Sequence, residues 1–412
     1  MKNRHRLATL TRRRFLFGTA ASALANVFPR RLPADQRAQD ARRIVAYVGS
    51  YTGAVGNGGN GEGIYSFGMD TVTGELTNSK LAAESRNPSW IAIHPSKRFL
   101  YAVNEVADGG ITAFAIEEGH GELRELNQER SMGTGPAYMT LDRKGRFAFV
   151  ANYGDGTVAV LPVREDGSLG SAVGVKRDRG FVGATRATDG PPGSFAFSGH
   201  DGPHAHMITP DPENRFVLAT DLGQDRIYSY RFDAATGKLC PPSSHPFVKL
   251  PEGDGPRHLA FHPNGKWLYS IQEEASTVAL FQYDSSSGAL TAEQSVSTLP
   301  PGFAGTSFAS EILIAPNGRF LYAANRLHDT IAAFAIQAGG KLARIGETPT
   351  MGDYPSQCAI DPSGRFLYAC NRHSDSITCF RIDSPAGLPV FTGRYTPIGS
   401  AACIAFWTAT SL

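Results

Sequence analysis

Pro88-Ser-Trp-Ile-Ala-Ile-His-Pro-Ser-Lys-Arg-Phe-Leu-Tyr-Ala-Val-Asn104 and Tyr354-Pro-Ser-Gln-Cys-Ala-Ile-Asp-Pro-Ser-Gly-Arg-Phe-Leu-Tyr-Ala-Cys-Asn371 share one plan: a short apolar strand, a turn with proline, a basic residue and a second strand ending in Asn. Anchored on that basic residue, the theme recurs at Arg98, Arg146, Arg215, Lys266, Arg319 and Arg365, at intervals of 48, 69, 51, 53 and 46 residues. Six residues past each anchor stands Asn104, Asn152, Asp221, Gln272, Asn325 or Asn371. A polar loop and a third strand follow (Ile111 to Ile116, Thr157 to Val163, Ile331 to Ile336), then a weaker fourth stretch. Helical periodicity is nearly absent. Repeats of this length with four strands each predict a β-propeller.

The ends of the chain supply a further copy. Ala402-Cys-Ile-Ala-Phe-Trp407 matches a first strand, while Ile44-Val-Ala-Tyr-Val-Gly-Ser50 and Gly63-Ile-Tyr-Ser-Phe67 match a second and a third. A blade shared between the termini closes the ring and removes exposed sheet edges. The expected fold is all-β: a seven-bladed β-propeller of four-stranded antiparallel blades, one domain over residues 44–412. The long interval is read as a Gly/Pro-rich insertion, roughly Gly170 to Pro203.

Composition agrees with this architecture. With 41% hydrophobic and 19% charged residues, the 412-residue chain has material for a large core and too little charge for disorder. Its 45 Gly and 26 Pro favour turns over long helices. Six of the 40 basic residues (Lys2, Arg4, Arg6, Arg12, Arg13, Arg14) fall within the first 25 positions, where there is no acid. The remainder holds 34 basic against 38 acidic residues, a mildly acidic body that argues against nucleic acid as a partner. Thr11-Arg-Arg-Arg-Phe-Leu16, followed by a short apolar run and Ala23-Leu-Ala25, reads as a twin-arginine signal peptide over 1–25, with a linker over 26–43. It predicts the twin-arginine export machinery as a partner, a periplasmic or secreted destination and no stable membrane span. The five cysteines (Cys240, Cys358, Cys370, Cys379, Cys403) form no C-x-x-C pair, so neither a disulfide framework nor a structural zinc is expected. Cys358, Cys370 and Cys379 read as small core residues.

In a propeller the first strand of a blade starts, and the second ends, on the same face of the disc. Nine residues before the anchors stand Ser89, Ala137, His206, Arg257, Ser310 and Ser356, and seven after them Glu105, Tyr153, Leu222, Glu273, Arg326 and Arg372. His204, His258 and Glu311 lie beside them. Such a rim of imidazoles, guanidiniums and carboxylates suits an anionic substrate clamped by Arg, with Glu or His moving a proton.

Gly202-Pro-His-Ala-His-Met207, Thr220-Asp-Leu-Gly-Gln-Asp-Arg226, Gly255-Pro-Arg-His-Leu259, Gln272-Glu273 and Ala324-Asn-Arg326 resemble the lactonase propeller family, which includes a bacterial 6-phosphogluconolactonase and the fungal carboxymuconate lactonizing enzyme. The resemblance spans about residues 44–407 and implies hydrolysis of a small-molecule sugar lactone without metal or other cofactor. It implies a catalytic set of one His, from His204 or His206, together with Arg257, Glu273 and Arg326, with His258, Glu311 and Arg372 as substrate-binding candidates. Glu273 or one of the histidines would then deprotonate water. Where the family often has Asn before the Glu, this chain has Gln272.

Other readings stand beside these. A lactonizing cyclase would use the same groups, and a non-catalytic propeller would present the face to a protein or carbohydrate. His204 and His206, two apart on a strand, would project to one side and could be metal ligands or a structural pair. Arg257 and Glu273 could form a plain ion pair. The Asn/Asp/Gln register reads as structural, satisfying strand-end backbone groups. His94, His262 and Asp361 read as surface turn residues, His328 and His373 as rim-loop residues, and Gly56-Asn-Gly-Gly-Asn-Gly61 as a flexible connector.

Overall fold

Seven antiparallel sheets radiate around one axis in the computed structural model, which describes residues 44–53, 58–117, 121–188, 190, 199–242, 244–382 and 385–409. The expected signal peptide and linker, residues 1–43, and the first part of the glycine-rich connector lie outside the described residues. The first blade closes the ring as expected. Its inner strand is Ala401–Thr408, followed outward by Ile44–Ser50, Gly63–Met69 and Leu76–Glu84. Ile44 pairs with Thr408 on one side and Met69 on the other. The inner strands of the second to seventh blades are Ile91–Ile93, Pro136–Leu141, Ala205–Pro210, Pro256–Phe261, Phe308–Ile314 and Pro355–Ile360. Helical structure among the described residues is confined to two 3-10 turns, Ala338–Gly340 and Arg372–Ser374, and no helix is long and apolar enough to cross a membrane.

Each blade packs both faces against neighbours, so its second strand is buried on both sides and reads as a continuous apolar run. Phe147–Asn152 and Phe366–Asn371 are buried throughout, whereas the outer strand Leu76–Glu84 is mostly exposed. Several second-strand tyrosines bolt adjacent blades. The Tyr101 and Tyr269 hydroxyls donate to Gly167 O and Gly340 O at 2.9 and 2.6 Å, and Tyr368 donates to Gly74 O at 2.7 Å. These glycines hold positive φ (86°, 82° and 75°), a conformation a side chain would strain, and a Cβ on Gly74 would meet the Phe366 ring at 2.6 Å.

The repeat's polar punctuation is structural. Asn152 Nδ2 donates to Ser131 O and Thr157 Oγ1 at 3.0 Å, and Asn325 Nδ2 does the same toward Thr298 O and Thr330 Oγ1. The turn residues differ from expectation. Asp361 is buried rather than at the surface, because its Oδ1 accepts the N–H groups of Arg365 and Phe366 at 2.9 and 2.8 Å. His94 and His262 take the equivalent turn position and reach the next blade, with Nε2 2.9 Å from Gly145 O and Gly318 O respectively. The insertion also begins later than its composition suggests, since Gly174–Arg177 is the fourth strand of the third blade. Cys358, Cys370 and Cys379 are buried free thiols on three adjacent strands of the seventh blade.

Candidate active site

Backbone irregularity, repeated from blade to blade, builds the site. In six blades the inner strand carries a register shift at its start: between Ala401 and Cys403, Pro136 and Tyr138, Ala205 and Met207, Pro256 and His258, Ala309 and Ile312, and Pro355 and Gln357. The residues left unpaired are Ala402, Ala137, His206, Arg257, the pair Ser310 and Glu311, and Ser356. A bulge turns one side chain out of the strand's alternation, and five of these residues, all but Ser310 and Glu311, line the cavity at the channel mouth. The opposite wall comes from the ends of the second strands. There the N–H groups of Glu105, Tyr153, Glu273 and Arg372 donate to Asn87 O, Gly135 O, Gly255 O and Tyr354 O at 2.7–3.1 Å, fixing each residue at the rim.

The resulting cavity has a volume of about 220 Å³ and is lined by His206, Arg257, His258, Glu273, Arg326 and Arg372 among others. Two guanidiniums converge on one carboxylate: Arg326 Nη2 and Arg257 Nε lie 2.7 and 3.0 Å from Glu273 Oε2. Both arginines are anchored on the sixth blade. Arg326 donates to Ala309 O at 3.1 Å and Phe308 O at 3.3 Å, and Arg257 Nη1 donates to Ser310 O. Burial, together with the charge of Arg326, lowers the Arg257 pKa, although Glu273 opposes the shift. Tyr354 Oη lies 3.4 Å from Arg326 Nη1, Arg372 lies over the Tyr51 ring at 3.8 Å, and Tyr51 donates to Glu105 Oε2 at 2.9 Å.

The bulge separates the two histidines that strand alternation would have put together. His206 is buried in the cavity wall, and its Nδ1 has no hydrogen-bond partner. Burial, and then Arg257, His258 and Arg326, hold its pKa well below the usual histidine range, so the ring is neutral. His204 lies outside the lining, stacked on Tyr153 at 4.4 Å, with Nδ1 2.7 Å from Tyr153 O and Nε2 2.7 Å from Asp201. Both His204 nitrogens are thus engaged, and among the described residues no group of three or more His, Cys, Asp or Glu is placed to hold a metal ion.

Glu311 is likewise not part of the lining; it sits behind His258, with Oε1 2.9 Å from His258 Nδ1. Six of the eight residues named from sequence therefore share the cavity, and His204 and Glu311 do not. Sequence reasoning missed Tyr51, Trp90 and Tyr354. Trp90 could have been found, since it stands one position past the rim register, as His258 and Glu311 do. His328 and His373 stay in rim loops, beside Phe303 and Tyr354.

Comparison with known proteins places the chain. A family profile described as lactonase, seven-bladed β-propeller, matches residues 45–406. The chain belongs to that family. Among its relatives, a 6-phosphogluconolactonase of Bacillus subtilis is 36% identical over 76% of this chain and 84% of its own length. A 6-phosphogluconolactonase of Pectobacterium carotovorum is 34% identical over 63% and 70%. Among solved structures, a periplasmic gluconolactonase of Pseudomonas aeruginosa superposes with a TM-score of 0.79 at 30% identity, covering 89% of this lactonase-family chain and 99% of that one.

Proposed function

We propose that this lactonase-family propeller hydrolyses a sugar lactone in the channel-mouth cavity. The observation that carries this is the meeting of Arg257 and Arg326 on Glu273, beside a neutral His206 whose Nδ1 is unpartnered. Glu273, gripped by two guanidiniums, has its charge spread and serves to align them. The paired arginines face the position where negative charge develops on the lactone carbonyl oxygen, and fixed cationic donors in a water-poor site stabilise such charge strongly. His206 Nδ1 then accepts the proton of the attacking water. Its low basicity limits this step, and the neutral form it guarantees keeps the lone pair available.

Three guanidiniums against two carboxylates line the cavity, which favours an uncharged or anionic lactone over a cation. The twin-arginine pattern supports action outside the cytoplasm, and with it an unphosphorylated sugar lactone. The test is hydrolysis by the full chain of glucono-δ-lactone and 6-phosphoglucono-δ-lactone, each corrected for spontaneous opening, with and without EDTA. Turnover that survives EDTA and falls by about 10²- to 10³-fold in Arg326→Ala is the expected result. A wild type indistinguishable from the blank on both lactones would overturn the reading and put lactonizing cyclization next.

A further inference from the structure

The residues one position past the rim register make a second ring: Trp90, Tyr138, Met207, His258, Glu311 and Gln357. Trp90, His258 and Gln357 line the cavity, and aromatic rings surround the histidine. His258 packs edge-on against Trp90 and Tyr138 with centroids 5.3 Å apart, and against His206 at 5.0 Å. Glu311 is the carboxyl of the ring. Its Oε1 accepts the Ile312 N–H at 3.0 Å and lies 2.9 Å from His258 Nδ1, while Oε2 is buried without a partner.

An ionised carboxylate with one oxygen unsatisfied in such surroundings is costly, so the group holds its proton. Burial pushes the Glu311 pKa up to about 8, with Arg257 opposing, while burial, Arg257 and Arg326 hold His258 well below the usual histidine range. At neutral pH the Glu311 hydroxyl therefore donates to Nδ1, and the uncharged ring carries its own hydrogen on Nε2, the nitrogen turned away from Glu311. Arg257 Nη1 lies 3.3 and 3.4 Å from the two ring nitrogens, a nearly equal approach that sets it over the ring face. Arg326 of the sixth blade is the second cation acting on the ring. Tyr138 of the third blade and the Cys358 thiol of the seventh, which face the pair, are both kept protonated by burial.

We propose that His258 delivers the proton to the ring oxygen of the opening lactone, and that Glu311 is the positioning residue that fixes its tautomer and replaces the proton. This deepens the lactonase reading and rests on it. Water gives one proton to His206 Nδ1 as its oxygen bonds to the carbonyl carbon. The bond from that carbon to the ring oxygen breaks, the ring oxygen takes the hydrogen of His258 Nε2, and Nδ1 takes the hydrogen of Glu311. The products are a hydroxy acid, a His206 imidazolium and a Glu311 carboxylate. Transfer from His206 through the adjacent His258 ring to Glu311 restores the starting state.

Two readouts on the full-length protein test this. In Glu311→Gln the amide can still donate to Nδ1 but cannot pass on a proton. The expected result is a kcat about 100-fold lower with KM within about threefold, and loss of the fall in kcat that the wild type shows as pH rises through about 8. Independently of turnover, nitrogen-15 NMR of labelled histidines should show His258 as the Nε2–H tautomer at pH 6.5 and the Nδ1–H tautomer above pH 8 in the wild type, with no switch in the variant. Unchanged kcat in a folded Glu311→Gln, or a single His258 tautomer across that range in the wild type, would overturn the proposal. A tautomer switch in a wild type without lactone turnover would overturn the lactonase reading while upholding the proton-holding pair.

Discussion

Two buried histidine–carboxylate clusters flank Glu273, and they hold their protons in opposite ways. On the channel side His258 meets one carboxyl, Glu311, within an aromatic layer beside two arginines, and burial wins: the ring is neutral. On the insertion side His200 places Nδ1 2.8 Å from Glu274 Oε1 and Nε2 3.1 Å from Asp225 Oδ1, with every side chain fully buried. Both ring nitrogens face carboxylate oxygens, and only imidazolium can donate to both. Burial lowers the His200 pKa, but the hydrogen bonds to Asp225 and Glu274 outweigh it and raise the value to about 9. Asp225 is further held by the N–H groups of Gly253 and Gly255 at 2.8 and 2.9 Å. The number of carboxylates around a ring, and the arginines near it, decide its charge more than depth does. The first cluster is equipped to move a proton; the second latches the insertion to the turn that carries Glu273 and Glu274.

The contrast breaks most sharply under truncation. His200→Ala leaves Asp225 and Glu274 buried without their cation and should cost about 3–5 kcal/mol in urea unfolding. His258→Ala removes an uncharged partner and should cost less, about 1–3 kcal/mol. Equal costs would mean that both rings carry the same charge.

The pH dependence of stability comes next. His200 binds its proton more tightly folded than unfolded, so its contribution is complete below about pH 6.5 and is lost as pH rises to about 9. Glu274, raised to about 7, and Glu311, raised to about 8, act in the same direction. His206 and His258, with lowered pKa values, instead penalise the folded state as pH falls below about 6.5. On the acid side the two carboxyls and the two histidines oppose one another, so the clear expectation is a urea midpoint that drops as pH rises above neutrality, with a shallower drop in His200→Ala. An alkaline drop of unchanged size in that variant would remove His200 from the account.

The smallest effect belongs to the histidine outside both clusters. Asp201→Asn alters the 2.7 Å contact between His204 Nε2 and an acid that is 87% exposed. It should change stability by less than about 0.5 kcal/mol and leave turnover intact. A large loss of turnover would return His204 to consideration beside His206.

The propeller was legible because each blade repeats the same burial problem. The Arg/Lys anchor, the apolar second strand and the terminal Asn recur wherever a strand is packed between two blades, as Phe147–Asn152 and Phe366–Asn371 are. The rim positions of Arg257, Glu273, Arg326 and Arg372 were legible for the same reason, since a register places them without any knowledge of contacts. The −9 and +7 positions depart from the apolar pattern that packing requires, and that departure was the signal.

What only the tertiary structure decided is how those groups are oriented and charged. Alternation along a strand sends His204 and His206 the same way, whereas the bulge between Ala205 and Met207 turns them apart. Burial and the arginines of the fifth and sixth blades then make His206 and His258 neutral, and the meeting of His200 with Asp225 and Glu274 across 25 and 74 residues makes that ring a cation. The sequence by itself determined the repeat, the closure of the ring and the positions that face the channel, because these follow from local periodicity. Protonation depends on distances between residues far apart in the chain, so the division of labour among the histidines was set only when the seven blades closed around one axis.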